Sequence, residues 1–311
     1  MSRPRRGLVL GGGGVLGAAW MVGALVALEE STGVSASSMD LLVGTSAGSV
    51  VAAMLAGGVS AREQLEHQRE GMLRSGPLAG VEFDYAVGGA RPPALKPGFG
   101  SRALLASAAR RRELLNGPVL LAGLLPRGRG QTTELTALVD RVTPSWPSWP
   151  DLRVVAMDYA TGDRAVFSAG GSATPALGVT ASCAIPAWFS PVEIAGRSYV
   201  DGGTVSIASA DLAAGQGLDE VYVLAPMAAF ASYPKTTFAV RLLRRWRRPQ
   251  TRQLVAELAQ LRSEGTRVTV LAPGPEDLAV FGVNVMDEQR RLTVLETSLR
   301  TTRATLHDQL A

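Results

Sequence analysis

Residues Leu41–Val50 read Leu-Leu-Val-Gly-Thr-Ser-Ala-Gly-Ser-Val, and no other stretch constrains the fold as much. A short apolar run stops at Gly44, Ser46 stands between Gly44 and Gly48 in the order G-x-S-x-G, and a helix-like segment, Ser49 to Leu55, follows. This pattern predicts strand, tight turn and helix, with the serine at the turn. A strained elbow of this kind lifts a hydroxyl clear of a sheet and leaves room only for Cα hydrogens at the two glycines. The helix that starts at Ala47 would aim its first amides at any anion formed beside Ser46. Alone, the motif reads either as a nucleophilic serine or as a plain Gly-Ser turn.

The flanking chain places the elbow in an α/β fold. Gly7–Leu10 reads as a buried strand, Gly11–Gly14 as a loop open to close approach, and Val15 to Glu30 as a helix. After a turn over Gly33 to Ser38, Asp40 leads into the elbow strand, so strand-helix-strand-helix is complete by residue 57. The first segment also imitates a signal peptide, because Arg3, Arg5 and Arg6 precede an apolar stretch. Four glycines at its centre make a poor helix core, and a folded first strand-loop-helix is the expectation. From Gly58 to Gly130, Gly and Pro pairs break the pattern, which predicts a helical lid or insertion over one end of the sheet.

Regular character then returns. Leu152–Tyr159 and Arg164–Ser168 read as paired strands across Thr161-Gly162-Asp163, and Val192–Ile194 with Arg197–Val200 as a hairpin about Ala195-Gly196. Val221–Ala225 and Val268–Ala272 read as buried strands, Thr251 to Ser263 as a helix closed by Gly265, and Asp287 to Leu310 as a final helix with Asp287 as N-cap. The expectation is one domain over residues 1–311, with a less typical part at 226–311. There is no internal repeat, and an apolar share of 46% supports a sizeable core.

Three glycine-bearing motifs fall at the ends of these strands: Gly11-Gly12-Gly13-Gly14-Val15-Leu16-Gly17, Gly44-Thr45-Ser46-Ala47-Gly48, and Asp201-Gly202-Gly203. Loops at the carboxyl ends of strands in an open α/β sheet meet in one crevice. A nucleophile, a carboxylate and a loop of amides converging there would suit acyl transfer. Gly12, Gly14 and Gly17 also spell a dinucleotide fingerprint, but the second strand ends in Gly44-Thr45-Ser46 without the acid that motif requires. Asp201 has its own plain reading as a turn aspartate.

These motifs, with the run Ala181-Ser182-Cys183-Ala184-Ile185-Pro186, resemble the patatin-like phospholipases from Gly7 to about Ala225. The resemblance implies a three-layer α/β/α sandwich with a mostly parallel central sheet. It implies a catalytic dyad of Ser46 and Asp201, and an oxyanion hole from Gly12, Gly13 and Gly14, to which the elbow geometry adds Ala47. It implies hydrolysis of acyl esters of lipids, whether phospholipid, lysophospholipid or neutral lipid, with no metal or cofactor. Gly44, Gly48, Gly202 and Gly203 complete its motifs. Two features depart from the family: Leu16 stands where a basic residue is common, and Ser206-Ile207-Ala208-Ser209 where Asn and Pro often follow.

His67 and His307 are the only histidines. Ser46, Asp201 and His307 follow the chain order of Ser-Asp-His triads, so an esterase using His307 is the enzymatic alternative, yet its helical position is a flank near the chain end. His67 reads as a solvated surface residue, Cys183 as a small buried one, and Asp158 and Asp163 as turn residues. A lipid-binding regulatory protein with little turnover is the alternative outside catalysis. The net charge of +4 tolerates acidic partners. The basic run Arg241–Arg252 around Trp246 reads either as a solvated face or as a segment meeting an anionic membrane, and nothing in it matches a nucleic-acid motif. The expected setting is cytoplasmic, with peripheral membrane contact open.

Overall fold

The computed structural model describes residues 3–86, 89, 91–93, 97–111, 117–230 and 238–310, with the side chains of 238–247 and 309–310 outside the description. Strands β1 (Arg6–Leu10), β2 (Leu41–Thr45), β3 (Asp151–Asp158), β7 (Glu220–Leu224) and β8 (Arg267–Leu271) lie parallel in the order β3-β2-β1-β7-β8. Leu8 pairs with Leu42 on one side and Tyr222 on the other. Strand β4 (Arg164–Phe167), β5 (Val192–Ile194) and β6 (Arg197–Asp201) are antiparallel additions at the β3 end.

Alternation along each strand divides the core into two layers. Leu8, Leu10, Leu42, Val154, Ala156, Tyr222 and Leu224 face one side, while Val9, Leu41, Val43, Val155, Val221 and Val223 face the other. The first side is covered by α1 (Gly14–Thr32), α2 (Ala47–Ala56), α6 (Thr133–Val142), α7 (Pro175–Ser182) and α10 (Arg291–Leu310). The second is covered by residues 207–213 and by Leu254, Leu258 and Leu261 of α8 (Phe238–Ser263). Helices α4 (Arg102–Arg110) and α5 (Gly117–Leu124) form a smaller core with Met157, Tyr159 and Val200. The α/β/α sandwich with a mostly parallel sheet is therefore as the sequence predicts.

Helix α1 is long and apolar enough to cross a membrane, but most of it is buried inside the fold. It packs so closely on α10 that a Cβ at Gly23 would lie 2.5 Å from the Leu295 carbonyl. Two predicted boundaries move. Helix α8 starts at Phe238 rather than Thr251, because Pro249 removes one intrahelical bond without ending a run rich in Leu and Arg. Asp287 heads a short 3-10 turn, with its carboxylate taken by Arg290 at 3.0 Å, and the α-helix begins at Arg291.

Strand β3 carries three neighbours on its two edges. Along it, the β4 ladder spans Val154 to Met157, overlapping β2 at Val154–Val155 and β6 at Ala156–Met157. Each edge can pair only once at a given position, so β2 and β6 must share the edge that β4 leaves free. They run towards each other and stop at adjacent positions, Thr45 opposite Val155 and Asp201 opposite Ala156. Two strand ends far apart in sequence thus meet head to head.

Candidate active site

Ser46 follows directly from the end of β2 at that meeting point. Its φ of 52° and ψ of −127° lie outside the regions favoured by L-residues, a strain worth about 1–3 kcal/mol at such sites. Both flanking glycines are sterically required. A Cβ at Gly44 would collide with Ser49 Cα, and one at Gly48 with the Leu10 carbonyl. The buried Ser182 at the end of α7 fills the gap between the two strand ends. Its hydroxyl accepts the Ser46 N–H at 2.8 Å and donates to the Val155 carbonyl at 2.5 Å.

The Ser46 hydroxyl donates to Asp201 Oδ2 at 2.6 Å. Gly203 N–H donates to Asp201 Oδ1 at 2.7 Å, and a Cβ at Gly202 would collide with the Val155 carbonyl. Both groups are nearly enclosed, Ser46 at 5% exposure and Asp201 at 6%. Burial pushes the Asp201 carboxyl up to about 6, against the smaller opposing pull of the Ser46 and Gly203 hydrogen bonds. Among the described residues no arginine, lysine or histidine contributes to that shift. At neutral pH the carboxylate is ionised and more basic than an ordinary one, which suits it to take a proton from the hydroxyl.

The glycine loop lies against Ser46. A Cβ at Gly12 would sit 3.3 Å from Ser46 Cβ. The Gly12 amide, however, donates to the Ile207 carbonyl at 2.8 Å, so it is already engaged. Among the described residues the amides of Gly13, Gly14 and Ala47 have no internal acceptor. Gly14 has φ +60°, and a Cβ there would press on the Val285 carbonyl at 2.8 Å. Leu16 is fully buried in the core, which is why a basic residue is out of place there.

The segment after Asp201-Gly202-Gly203 explains the departure seen there in the sequence. Ile207 supplies the carbonyl that holds Gly12, and Ser206 donates to buried Glu257 of α8 at 2.7 Å. Glu257 also accepts the Ala210 N–H at 2.9 Å, and Gln250 on the same helix donates to the Gly203 carbonyl at 3.2 Å. The Asp201 turn is thus braced from behind by α8. Burial raises the Glu257 carboxyl above its ordinary range. The brace was not legible in the sequence, since Glu257 lies 51 residues from Ser206 in no recognised motif.

Ser46 and Ala47 open into an apolar cavity of about 130 Å³, walled by Val22, Val50, Met54, Leu135, Leu138 and Ile185. Leu78, Phe83 and Tyr85, from the stretch following α3 (Ala61–Glu70), close one side. His67 is a wall of this cavity at 2% exposure, which corrects its reading as a solvated residue. The buried face of α3 carries Gln64, Leu65, His67 and Gln68, a mixed face with no apolar stripe to flag it. His67 lies 2.6 Å from the Tyr85 hydroxyl and 2.9 Å from the Val81 carbonyl. Since that carbonyl can only accept, Nε2 carries a proton, and in the neutral ring Nδ1 accepts from the Tyr85 hydroxyl. Arg291 stacks 4.0 Å above the Tyr85 ring and fastens the cover to α10.

His307 sits on the last turns of α10, with its side chain 81% exposed and Asp308 3.8 Å away. The structure does not bring it to Ser46. Cys183 is half-buried in the cavity wall, and burial with the Asp201 charge raises its thiol, so it is not a ready thiolate. Asp158 and Asp163 serve turns and ion pairs with Arg197 and Arg111. Among the described residues no three metal-ligating side chains gather. The side chains of Arg241–Arg247, including Trp246, lie outside the described residues, while Arg248 and Arg252 are exposed.

An α/β/α sandwich with a serine on a strand-to-helix elbow, hydrogen-bonded to a carboxylate from a neighbouring strand, defines a class of α/β proteins with a nucleophile-elbow site. The model of the patatin-like phospholipase family matches residues 8–214, and the chain belongs to that family of lipid hydrolases. VipD from Legionella pneumophila is similar over 99% of this chain and 67% of its own, at 14% identity and a TM-score of 0.47. The type III effector protein ExoU is similar over 98% of this chain at 18% identity and a TM-score of 0.38, and this chain spans 53% of ExoU. No curated protein matches the chain in sequence.

Proposed function

We propose that this protein hydrolyses acyl ester bonds of lipids through Ser46 and Asp201. The observation that carries this reading is the 2.6 Å hydrogen bond from a strained serine to a buried, uncompensated carboxylate at the mouth of an apolar cavity. Asp201 takes the Ser46 proton as Oγ attacks the ester carbonyl. The amides of Gly13, Gly14 and Ala47 hold the oxyanion of the tetrahedral intermediate. Collapse expels the alcohol, which receives the proton from Asp201. Water, deprotonated by Asp201, then releases the carboxylic acid and restores Ser46. The acyl chain occupies the cavity, and residues 58–130 act as the insertion of a single domain, with Leu78, Phe83 and Tyr85 shifting to admit it. The protein meets its substrate from the aqueous, cytoplasmic side of a membrane.

A fluorophosphonate probe and a panel of lipid and water-soluble esters test this reading. Wild type should be labelled and should turn over esters, whereas Ser46→Ala should do neither. Labelling of Ser46→Ala at the wild-type rate would move the nucleophile elsewhere. Lipid binding by a wild type that is neither labelled nor active would favour the regulatory alternative.

A further inference from the structure

We infer that the face formed by Phe99 and helix α5, bordered by Arg102 and Arg127, docks this protein on an anionic lipid bilayer. The inference rests on the lipid-hydrolase reading, because it explains how an enclosed serine reaches an aggregated substrate.

The face is apolar and open. Phe99 is 56% exposed, Leu121 39% and Leu124 50%. Leu121 and Leu124 are three residues apart on one helix and share a side. Gly100 and Ser101 both donate their amides to the Gly123 carbonyl, at 3.0 and 3.2 Å, which pins Phe99 beside the end of α5. Large apolar side chains grouped on an exposed helix end mark an interaction surface more often than scattered ones do.

Charge identifies the occupant. Residues 97–130 contain six arginines and one acidic residue. Arg102 follows the Ser101 clamp, and Arg127 donates to the Gly100 carbonyl at 3.0 Å, so both border the same junction. Together with Arg129 they are exposed, and among the described residues none of the three meets a carboxylate. By contrast Arg3, Arg6, Arg69, Arg153, Arg164 and Arg197 each end on an acidic side chain. Uncompensated arginines around exposed Leu and Phe suit a negatively charged surface with an apolar interior, which a bilayer of anionic lipids presents.

Position links the face to the chemistry. Helix α5 leans on the Gly202–Thr204 turn that follows Asp201. The chain leaving it runs along Trp188 and Phe189, with Gly130 N–H donating to the Trp188 carbonyl at 2.8 Å, and Phe189 lines the cavity. Through these two links the face is joined to the Asp201 turn and to one wall of the cavity.

The test uses full-length Ser46→Ala protein, so that binding is read without turnover. It is sedimented with phosphatidylcholine vesicles with and without about one-third phosphatidylglycerol, at low and high salt. Binding should need the anionic lipid and weaken with salt. Adding Leu121→Asp and Leu124→Asp should weaken it about tenfold or more, and Arg102→Gln with Arg129→Gln about three- to tenfold. In the Ser46-intact background these variants should keep wild-type turnover of a water-soluble butyrate ester, which shows that they fold. Hydrogen exchange across residues 117–124 should slow on anionic vesicles. Unchanged binding by the leucine variant overturns the inference. So does loss of binding only when Arg244, Arg245, Arg247 and Arg248 become Gln, or a wild-type dimer that the leucine changes split. If Ser46 proves inert while α5-dependent binding persists, the hydrolase reading fails and the docking surface stands.

Discussion

The two ends of the central sheet use the same residue types for opposite purposes. At the amino-terminal end of the parallel strands, every carboxylate described has a cation or an amide. Glu220 meets Arg6 at 2.7 Å and Arg267 at 3.0 Å, Asp40 meets Arg3 at 2.8 Å, and Asp151 meets Arg153 at 2.8 Å. The Arg6 hydrogen bond holds the Glu220 carboxyl below its ordinary range. At the carboxyl-terminal end Asp201 is buried with a hydroxyl and one amide, and its carboxyl rises to about 6. One end uses its charges to hold strands together. The other keeps a charge short of partners, beside a serine held at positive φ. A strained serine beside a buried, raised carboxyl is the arrangement that perturbed functional sites share, and on the proposed function it is where this fold accepts instability in exchange for reactivity.

The contrast should break most visibly at the carboxyl-terminal end. Ser46→Ala and Asp201→Asn should each lower ester turnover about 10³-fold, as expected for groups that act as a unit. Asp201→Asn should at the same time raise the melting temperature at pH 8, because it removes a carboxylate that burial disfavours. That gain should shrink as the pH falls through 6, where wild-type Asp201 becomes protonated in the folded state. Calorimetry showing a less stable Asp201→Asn across this range would mean that the carboxylate is compensated after all.

The pH profile sharpens the same point. As the proposed base, Asp201 must be ionised to accept the serine proton, so kcat/KM should fall about tenfold per pH unit below about 6. A flat profile down to pH 5 would remove Asp201 as the base. Glu257→Leu comes next in size. It leaves Ser206 and Ala210 without their acceptor and frees the segment whose Ile207 carbonyl holds Gly12. Turnover and fluorophosphonate labelling should drop about tenfold together, with KM unchanged, as expected when a group acts only through the transition state. A rise in KM alone would argue for a substrate contact.

Changes at the quiet end should be small and of another kind. Glu220→Gln should cost about 1 kcal/mol of stability at neutral pH and leave turnover unchanged. Since the folded-state carboxyl is held low, that cost is present above the usual carboxylate range and fades as the pH falls below it. The smallest effect belongs to His307→Ala, which should keep turnover within about twofold, given its exposed position on the last helix. A loss on the scale of Ser46→Ala would establish a triad instead.

Local sequence determined the parts of this protein. The run from Leu41 to Val50 specified an elbow, because only glycine fits at positions 44 and 48. The period-2 and helical patterns specified the strands and most helices, because buried strands and amphipathic faces leave a record in neighbouring residues. Their order pointed to a parallel α/β sheet, and the family resemblance of the motifs implied its three layers. Tertiary structure decided how the parts meet. Ser46 and Asp201 become partners because β2 and β6 end opposite adjacent residues of one edge of β3, a matter of pairing register that neither strand encodes alone. The same holds for Gly12, whose amide goes to Ile207 rather than to the crevice, and for Glu257, whose role exists only where α8 passes behind the Asp201 turn. His67 is the sharpest case. Its neighbours in the chain are polar and suggest solvent, but the stretch from Leu78 to Tyr85 folds over it and makes it a wall of the cavity. Burial and partners are set by distant segments, and sequence pattern reports only on near ones.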